Sequence, residues 1–138
     1  MRILIADDER YVRYSLRSML EEMPLEIDSI QEAEDGGRLV EKVREVVPEL
    51  VLVDIKMPRL SGLDAIEALL DEYPATVWIV VTAHDEFSYA QKAIRLGVFR
   101  YLVKPVDPGE LRVAMDEAVT ALSTRARSAI AQARGAAD

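Results

Sequence analysis

The sequence predicts an α/β protein built on a doubly wound parallel sheet of five strands, and three observations carry that prediction. Short apolar runs alternate five times with longer segments of helical periodicity. Two of the runs, residues 50–53 (Leu-Val-Leu-Val) and 77–81 (Val-Trp-Ile-Val-Val), are apolar at every position, as strands covered by helices on both faces must be. Residues able to do chemistry stand directly after the runs, where open parallel sheets place their sites.

Taken in order, residues 2–6 form the first strand and run into Asp7-Asp8-Glu9. A helix follows, with Val12, Leu16, Met19 and Leu20 in one apolar stripe and Arg13, Arg17 and Glu21 on its other side, closed by Pro24. Residues 27–33 alternate weakly and are more polar, which suits an edge strand. Asp35-Gly36-Gly37 turns into a second helix with Leu39, Val40, Val43 and Val47 inward, ended near Pro48. The third strand stops at Asp54. Ser61 caps a third helix, with Asp64 three residues on as a weaker capping box; Leu63, Ile66 and Leu70 are spaced for burial and Pro74 stops it. The fourth strand, with Trp78 in the core, ends at Thr82. Asp85 is expected to cap a fourth helix over residues 86–96, with Phe87, Ala90 and Ile94 on one face and Gly97 as its stop. Residues 100–103 are the fifth strand and lead into Lys104-Pro105. Asp107-Pro108-Gly109-Glu110 then starts a fifth helix, whose inner face is Leu111, Met115, Ala118 and Leu122. Residues 1–123 read as one domain. Residues 124–138, rich in alanine and arginine, read as a helical extension or linker weakening toward Gly135.

Composition narrows the chemistry. The 138 residues contain no cysteine and one histidine, which excludes disulfides, thiolate metal sites, thiol catalysis and multi-histidine metal sites. A net charge of −8 argues against unaided, non-specific nucleic-acid binding by this segment. There is no apolar run of membrane-spanning length and no signal-peptide layout, so the expectation is a cytoplasmic protein without membrane contact.

Placed on the strand ends, Asp7 and Asp8, Asp54, Thr82 and Lys104 fall on one edge of the sheet. Asp54 alone could be a nucleophile, a metal ligand or a helix cap. Beside Asp7 and Asp8 it belongs to a group whose mutual repulsion raises carboxyl pKa values unless a cation compensates. Oxygen-only ligands favour Mg²⁺. A lysine and a threonine at the same edge suit a phosphoryl group, whose transfer depends on positioning and charge neutralisation. An aspartate beside Mg²⁺ is a competent acceptor.

Asp7-Asp8, Asp54 followed by Met57-Pro58 and Gly62, Thr82-Ala83, and Tyr101 with Lys104-Pro105 together resemble the receiver domain of two-component response regulators, the CheY-like family. The resemblance implies a flavodoxin-like (βα)5 fold of strand order 2-1-3-4-5. It implies that Asp54 is the phosphoacceptor, that Asp8, Asp54 and the Lys56 backbone carbonyl bind Mg²⁺ with Asp7 acting through water, and that Thr82 and Lys104 hold the phosphoryl group. Tyr101 would be the switch aromatic, and the residues at positions 56 and 84, Lys56 and His84, would tune autodephosphorylation. The implied partner is a sensor histidine kinase, with Arg13, Arg17 and Tyr14 as docking candidates on the first helix. A homodimer on phosphorylation is expected through helix four, strand five and helix five, with Tyr89, Lys92, Arg95 and above all Phe99 exposed. On this reading the chain is no enzyme beyond catalysing its own phosphorylation and dephosphorylation. Asp85-Glu-Phe-Ser-Tyr-Ala-Gln-Lys-Ala, with Lys104-Pro-Val-Asp, further resembles receivers joined to an AraC-type DNA-binding domain. No such domain lies within these residues, so the expectation is a stand-alone receiver or a fragment. A dinucleotide-binding loop and a Walker loop are absent, and Lys56 occupies the place where haloacid-dehalogenase-type phosphatases carry a second Asp.

Overall fold

A computed structural model describes residues 1–137. Five strands and five helices alternate: β1 (Arg2–Ala6), α1 (Arg10–Glu21), β2 (Ser29–Ala33), α2 (Gly36–Val46), β3 (Leu50–Val53), α3 (Gly62–Leu69), β4 (Val77–Thr82), α4 (Phe87–Arg95), β5 (Arg100–Val103) and α5 (Pro108–Ala137). All strand pairs are parallel and the order is β2-β1-β3-β4-β5, so the flavodoxin-like doubly wound sheet expected from the sequence is the fold observed.

Alternation along each strand divides the core into two layers. Leu4, Ala6, Val51, Val53, Trp78 and Val80 face α2, α3 and α4. Ile3, Ile5, Leu50, Leu52, Val77, Ile79 and Val81 face α1 and α5. Helices on both sides explain why β3 and β4 are apolar throughout, whereas the edge strand β2 is buried fully only at Ala33.

Several local expectations need correction. The second strand begins at Ser29 rather than Ile27, because its register opens opposite Arg2 and Ile27 instead packs beneath the sheet. Val47 is exposed and left-handed (φ 49°) where α2 ends, so it does not join the inward face of Leu39 and Val43. In α3 Leu69 joins Leu63 and Ile66 in the core where Leu70 was expected, and Leu70 is only partly covered. Ser61 does cap this helix, accepting from Asp64 N–H at 3.1 Å, but the Asp64 carboxylate turns to Lys92 at 2.9 Å. Glu86, not Asp85, stands at the start of α4 and gives no side-chain cap. Phe87 and Ile94 are 79% and 78% exposed, and Ala93 is the buried residue of that helix. Tyr89, Leu96 and Val98 pack with it. The helix therefore carries two apolar faces, and the one that periodicity picked out looks into solvent. α5 continues as one helix through Gly135 to Ala137; Asp138 lies outside the described residues.

Candidate functional site

Strand register assembles the site. Ala6 is paired with Val53, so the next residues, Asp7 and Asp54, leave the sheet side by side; Asp54 N–H continues the ladder to the Ala6 carbonyl at 2.9 Å. Thr82 pairs with Val103, and Lys104 N–H bonds the Thr82 carbonyl at 2.9 Å, which brings the lysine to the same edge. Two close approaches leave no room for side chains. A Cβ on Gly62 would lie 1.9 Å from the Asp54 carbonyl oxygen, and one on Gly36 would lie 2.0 Å from that of Leu60. The loop after Asp54 is thereby pressed onto the starts of α2 and α3.

Carboxylate oxygens of Asp7, Asp8 and Asp54 lie within 4.8 Å of one another, with Asp7 and Asp54 buried and Asp8 exposed. Lys104 Nζ donates to Asp7 Oδ2 at 2.7 Å and to Asp54 Oδ2 at 3.0 Å. Asp7 Oδ1 accepts from Glu9 N–H and Asp54 Oδ1 from Ile55 N–H. Burial pushes the Asp7 carboxyl above its ordinary range although Lys104 pulls it down, while burial works against the Lys104 ammonium and its bonds to Asp7 and Asp54 outweigh it, raising its pKa. Three oxygen donors around one point, with an open, exposed side at Asp8, fit a hard divalent cation that keeps part of its water shell.

Thr82 is wholly buried, and its hydroxyl accepts from His84 N–H at 3.1 Å. Tyr101 is half-buried, with its hydroxyl donating to the His84 carbonyl at 2.9 Å. Burial raises the Tyr101 pKa, with Asp85 and Asp54 adding to it. One peptide segment, 82–84, thus connects the two residues. Lys56 is exposed, and its Nζ stands 5.9 Å from the Tyr89 ring centroid, at the distance limit of a cation–π contact.

Other candidates are placed differently from expectation. Arg13 and Arg17 are not free surface charges. Both bind Glu32 on β2, Arg13 through Nε at 3.0 Å and Arg17 through Nη2 at 2.9 Å. Tyr14, with Tyr11, is the exposed feature of α1. Lys92 bridges Asp64 and Glu67 of α3, and Tyr89 is half-buried. Phe99 packs on the α1/α5 layer with the Arg100 guanidinium 5.9 Å from its ring; Arg95 alone of that set is exposed. Glu32 is the functional-looking residue that sequence reasoning passed over. The signal for it was present: a right-handed β1-α1-β2 crossover lays α1 along β2, facing an edge-strand acid toward arginines four residues apart.

Among the described residues no helix is long and apolar enough to cross a membrane. The chain is 32% identical over 121 residues to the transcriptional regulatory protein YesN of Bacillus subtilis, covering 88% of this chain and 33% of that protein. It is 38% identical over 119 residues to the transcriptional regulatory protein PdtaR of Mycobacterium tuberculosis, covering 86% and 57% respectively. The chain thus spans from a third to little more than half the length of these curated relatives. The solved REC domain of AraT, a response regulator from Geobacillus stearothermophilus, superposes with a TM-score of 0.80 at 37% identity, covering 90% of this chain and 96% of that one. A family model described as the response regulator receiver domain matches residues 3–116, the span that runs from the first strand past every acidic and basic group of the site, and the chain belongs to that family.

Proposed function

We propose that the chain is the phosphoacceptor unit of a two-component system, taking a phosphoryl group from a sensor histidine kinase onto Asp54. The observation that carries this reading is the pairing of a buried Asp54 with Lys104 at 3.0 Å inside a three-carboxylate cluster. Asp7, Asp8 and Asp54, with the Lys56 backbone carbonyl, would hold Mg²⁺, which when bound supplies charge neutralisation for the transferring group. An Asp54 carboxylate oxygen attacks the phosphorus of the kinase's phosphohistidine. The new P–O bond forms as the P–N bond breaks, and the electron pair leaves with the imidazole nitrogen. Lys104 already stands where one phosphoryl oxygen arrives, and Thr82 offers its hydroxyl to another.

The switch follows from the peptide that Thr82 and Tyr101 share. When the Thr82 hydroxyl turns toward the phosphoryl group it gives up His84 N–H, and the His84 carbonyl that anchors Tyr101 shifts with it. A modest bias between two packings is enough, since a ligand shifts such an equilibrium only by its differential affinity. The surface of α4, β5 and α5 changes in consequence, and a second copy of the receiver reads it. Its apolar contacts are Phe87 and Ile94, in place of Phe99. Kinase docking falls to the α1 side of the site through Tyr11 and Tyr14. The chain turns over no external substrate: it catalyses its own phosphorylation and dephosphorylation, in the cytoplasm. Its output is transcription regulation through an AraC-type DNA-binding domain in the same protein. The relatives named as transcriptional regulators support that role.

Incubation with Mg²⁺ and acetyl phosphate tests the reading. A single adduct of about 80 Da per chain, without sustained phosphate release, is expected, and none for Asp54→Asn. Continuous release without an adduct would make the protein a phosphatase. No change at all would make it a binding module.

A further inference from the structure

Arg13 reaches the site from behind. It lies on α1 with its side chain only 14% exposed. Its Nε bonds Glu32 Oε1 at 3.0 Å, and its Nη1 donates to the backbone carbonyl of Asp7 at 2.8 Å. Glu32 is gripped from its other oxygen by Arg17, which also donates to the Ile30 carbonyl at 2.7 Å. Asp7 N–H bonds the Ala33 carbonyl on the same edge strand at 3.0 Å. Glu32 and Arg13 therefore form a strut from β2 to the peptide between Asp7 and Asp8.

That peptide matters for Asp8. Asp7 is held at four points: its N–H, its carbonyl, and its two carboxylate oxygens through Glu9 and Lys104. Among the described residues the Asp8 carboxylate makes no hydrogen bond, and the residue is exposed. The peptide unit is planar, so fixing the Asp7 carbonyl fixes the Asp8 nitrogen and limits where the Asp8 side chain can point. We propose that Arg13 is a positioning residue for divalent-cation binding, acting through the Asp7 carbonyl to aim Asp8 at the point shared with Asp7 and Asp54. This rests on the reading of the three aspartates as a metal-binding phosphoacceptor site.

Charge and position make opposite demands, which makes the idea testable by sign. Arg13 is a cation near a cation site, so removing its charge alone would tighten Mg²⁺ binding. Losing an outer-shell support weakens metal affinity, typically by about 10-fold or more. Titration of the intact chain with MgCl₂, followed by backbone amide shifts or calorimetry, decides between them. Arg13→Ala is expected to weaken binding roughly 10-fold. Arg13→Lys keeps the charge that opposes Mg²⁺ but cannot span both Glu32 and the Asp7 carbonyl, and should weaken binding at least as much. Arg17→Ala removes the same charge from the same Glu32 without touching Asp7, and should bind as wild type does. Equal weakening by Arg13→Ala and Arg17→Ala would show that only the docking of β2 matters, and the proposal fails. Unchanged or tighter binding in folded Arg13→Ala, or in Arg13→Lys should the first not fold, overturns it as well. A wild-type chain that binds no Mg²⁺ overturns the underlying reading itself, a result distinct from either.

Discussion

Lys104 Nζ lies between two buried carboxylates, 2.7 Å from Asp7 and 3.0 Å from Asp54, so the crowding expected from the sequence is already compensated by a cation. Removing one partner of a buried ion pair leaves an uncompensated charge, which is worth about 3 kcal/mol or more. Lys104→Met should lower the stability of the metal-free protein by that order in urea denaturation, and Mg²⁺ should restore part of it by mass action. A variant as stable as wild type would mean that the lysine is not neutralising the pair. Lys56 presents a different case. Its ammonium stands 5.9 Å from the ring centroid of Tyr89 on α4, and on the proposed phosphoacceptor reading the ring would hold it where it obstructs an attacking water. Tyr89→Ala should therefore shorten the aspartyl-phosphate half-life about as much as Lys56→Asn does, and Tyr89→Phe, which keeps the ring face, should not. Equal half-lives in all three would remove Lys56 from the account. The strand-end aspartates, Thr82 and Lys104 were legible because a parallel sheet turns sequence position directly into spatial position. The bond from Arg13 to the Asp7 carbonyl was not, since strand order says nothing of which backbone carbonyl a helix side chain reaches.

At the scale of elements, the end of the sheet opposite the site is tied by Arg2 and Glu49. Arg2 at the start of β1 binds the Glu49 carboxylate through Nη2 at 2.8 Å and also the Val46 carbonyl where α2 ends at 3.2 Å. Burial would raise the Glu49 pKa, but the Arg2 side chain and its backbone N–H outweigh it and hold the carboxyl below its ordinary value. A depressed carboxyl stabilises the fold above its unfolded pKa of roughly 4.3, and that contribution is lost as pH falls through the lower folded value. Wild type should exceed Glu49→Gln in melting temperature at pH 7 and lose that margin as pH falls through the lowered Glu49 value; a margin independent of pH would contradict the pairing. The helices show where pattern reading stops. α2 and α5 have one apolar stripe each, and it was found except at Val47, where α2 has already ended. α4 has two, and periodicity measures spacing without saying which face meets the sheet. Ala93, with Tyr89 and Leu96 beside it, is the inner face and shares a core layer with Trp78 of β4.

Across the whole molecule, Phe87 and Ile94 of α4, Val103 of β5 and Val113 of α5 are exposed apolar residues on the three elements of the proposed switch surface, and Val113 stands one turn before Glu117, which pairs with Arg100 of β5. Exposed apolar residues gathered on one face mark an interaction surface. Sedimentation should show beryllofluoride-treated protein as a dimer and Ile94→Glu as a monomer that still binds beryllofluoride. A dimer unaffected by Ile94→Glu would move the interface elsewhere. All of this depends on where the phosphoryl group lands. The most direct measurement is to phosphorylate the protein with Mg²⁺ and acetyl phosphate, reduce it with borohydride, and sequence the resulting peptides by mass spectrometry. Conversion of Asp54 to homoserine, with Asp7 and Asp8 intact, is the predicted result. Label on Asp7 or Asp8, or no label in a protein that binds Mg²⁺ normally, would contradict it.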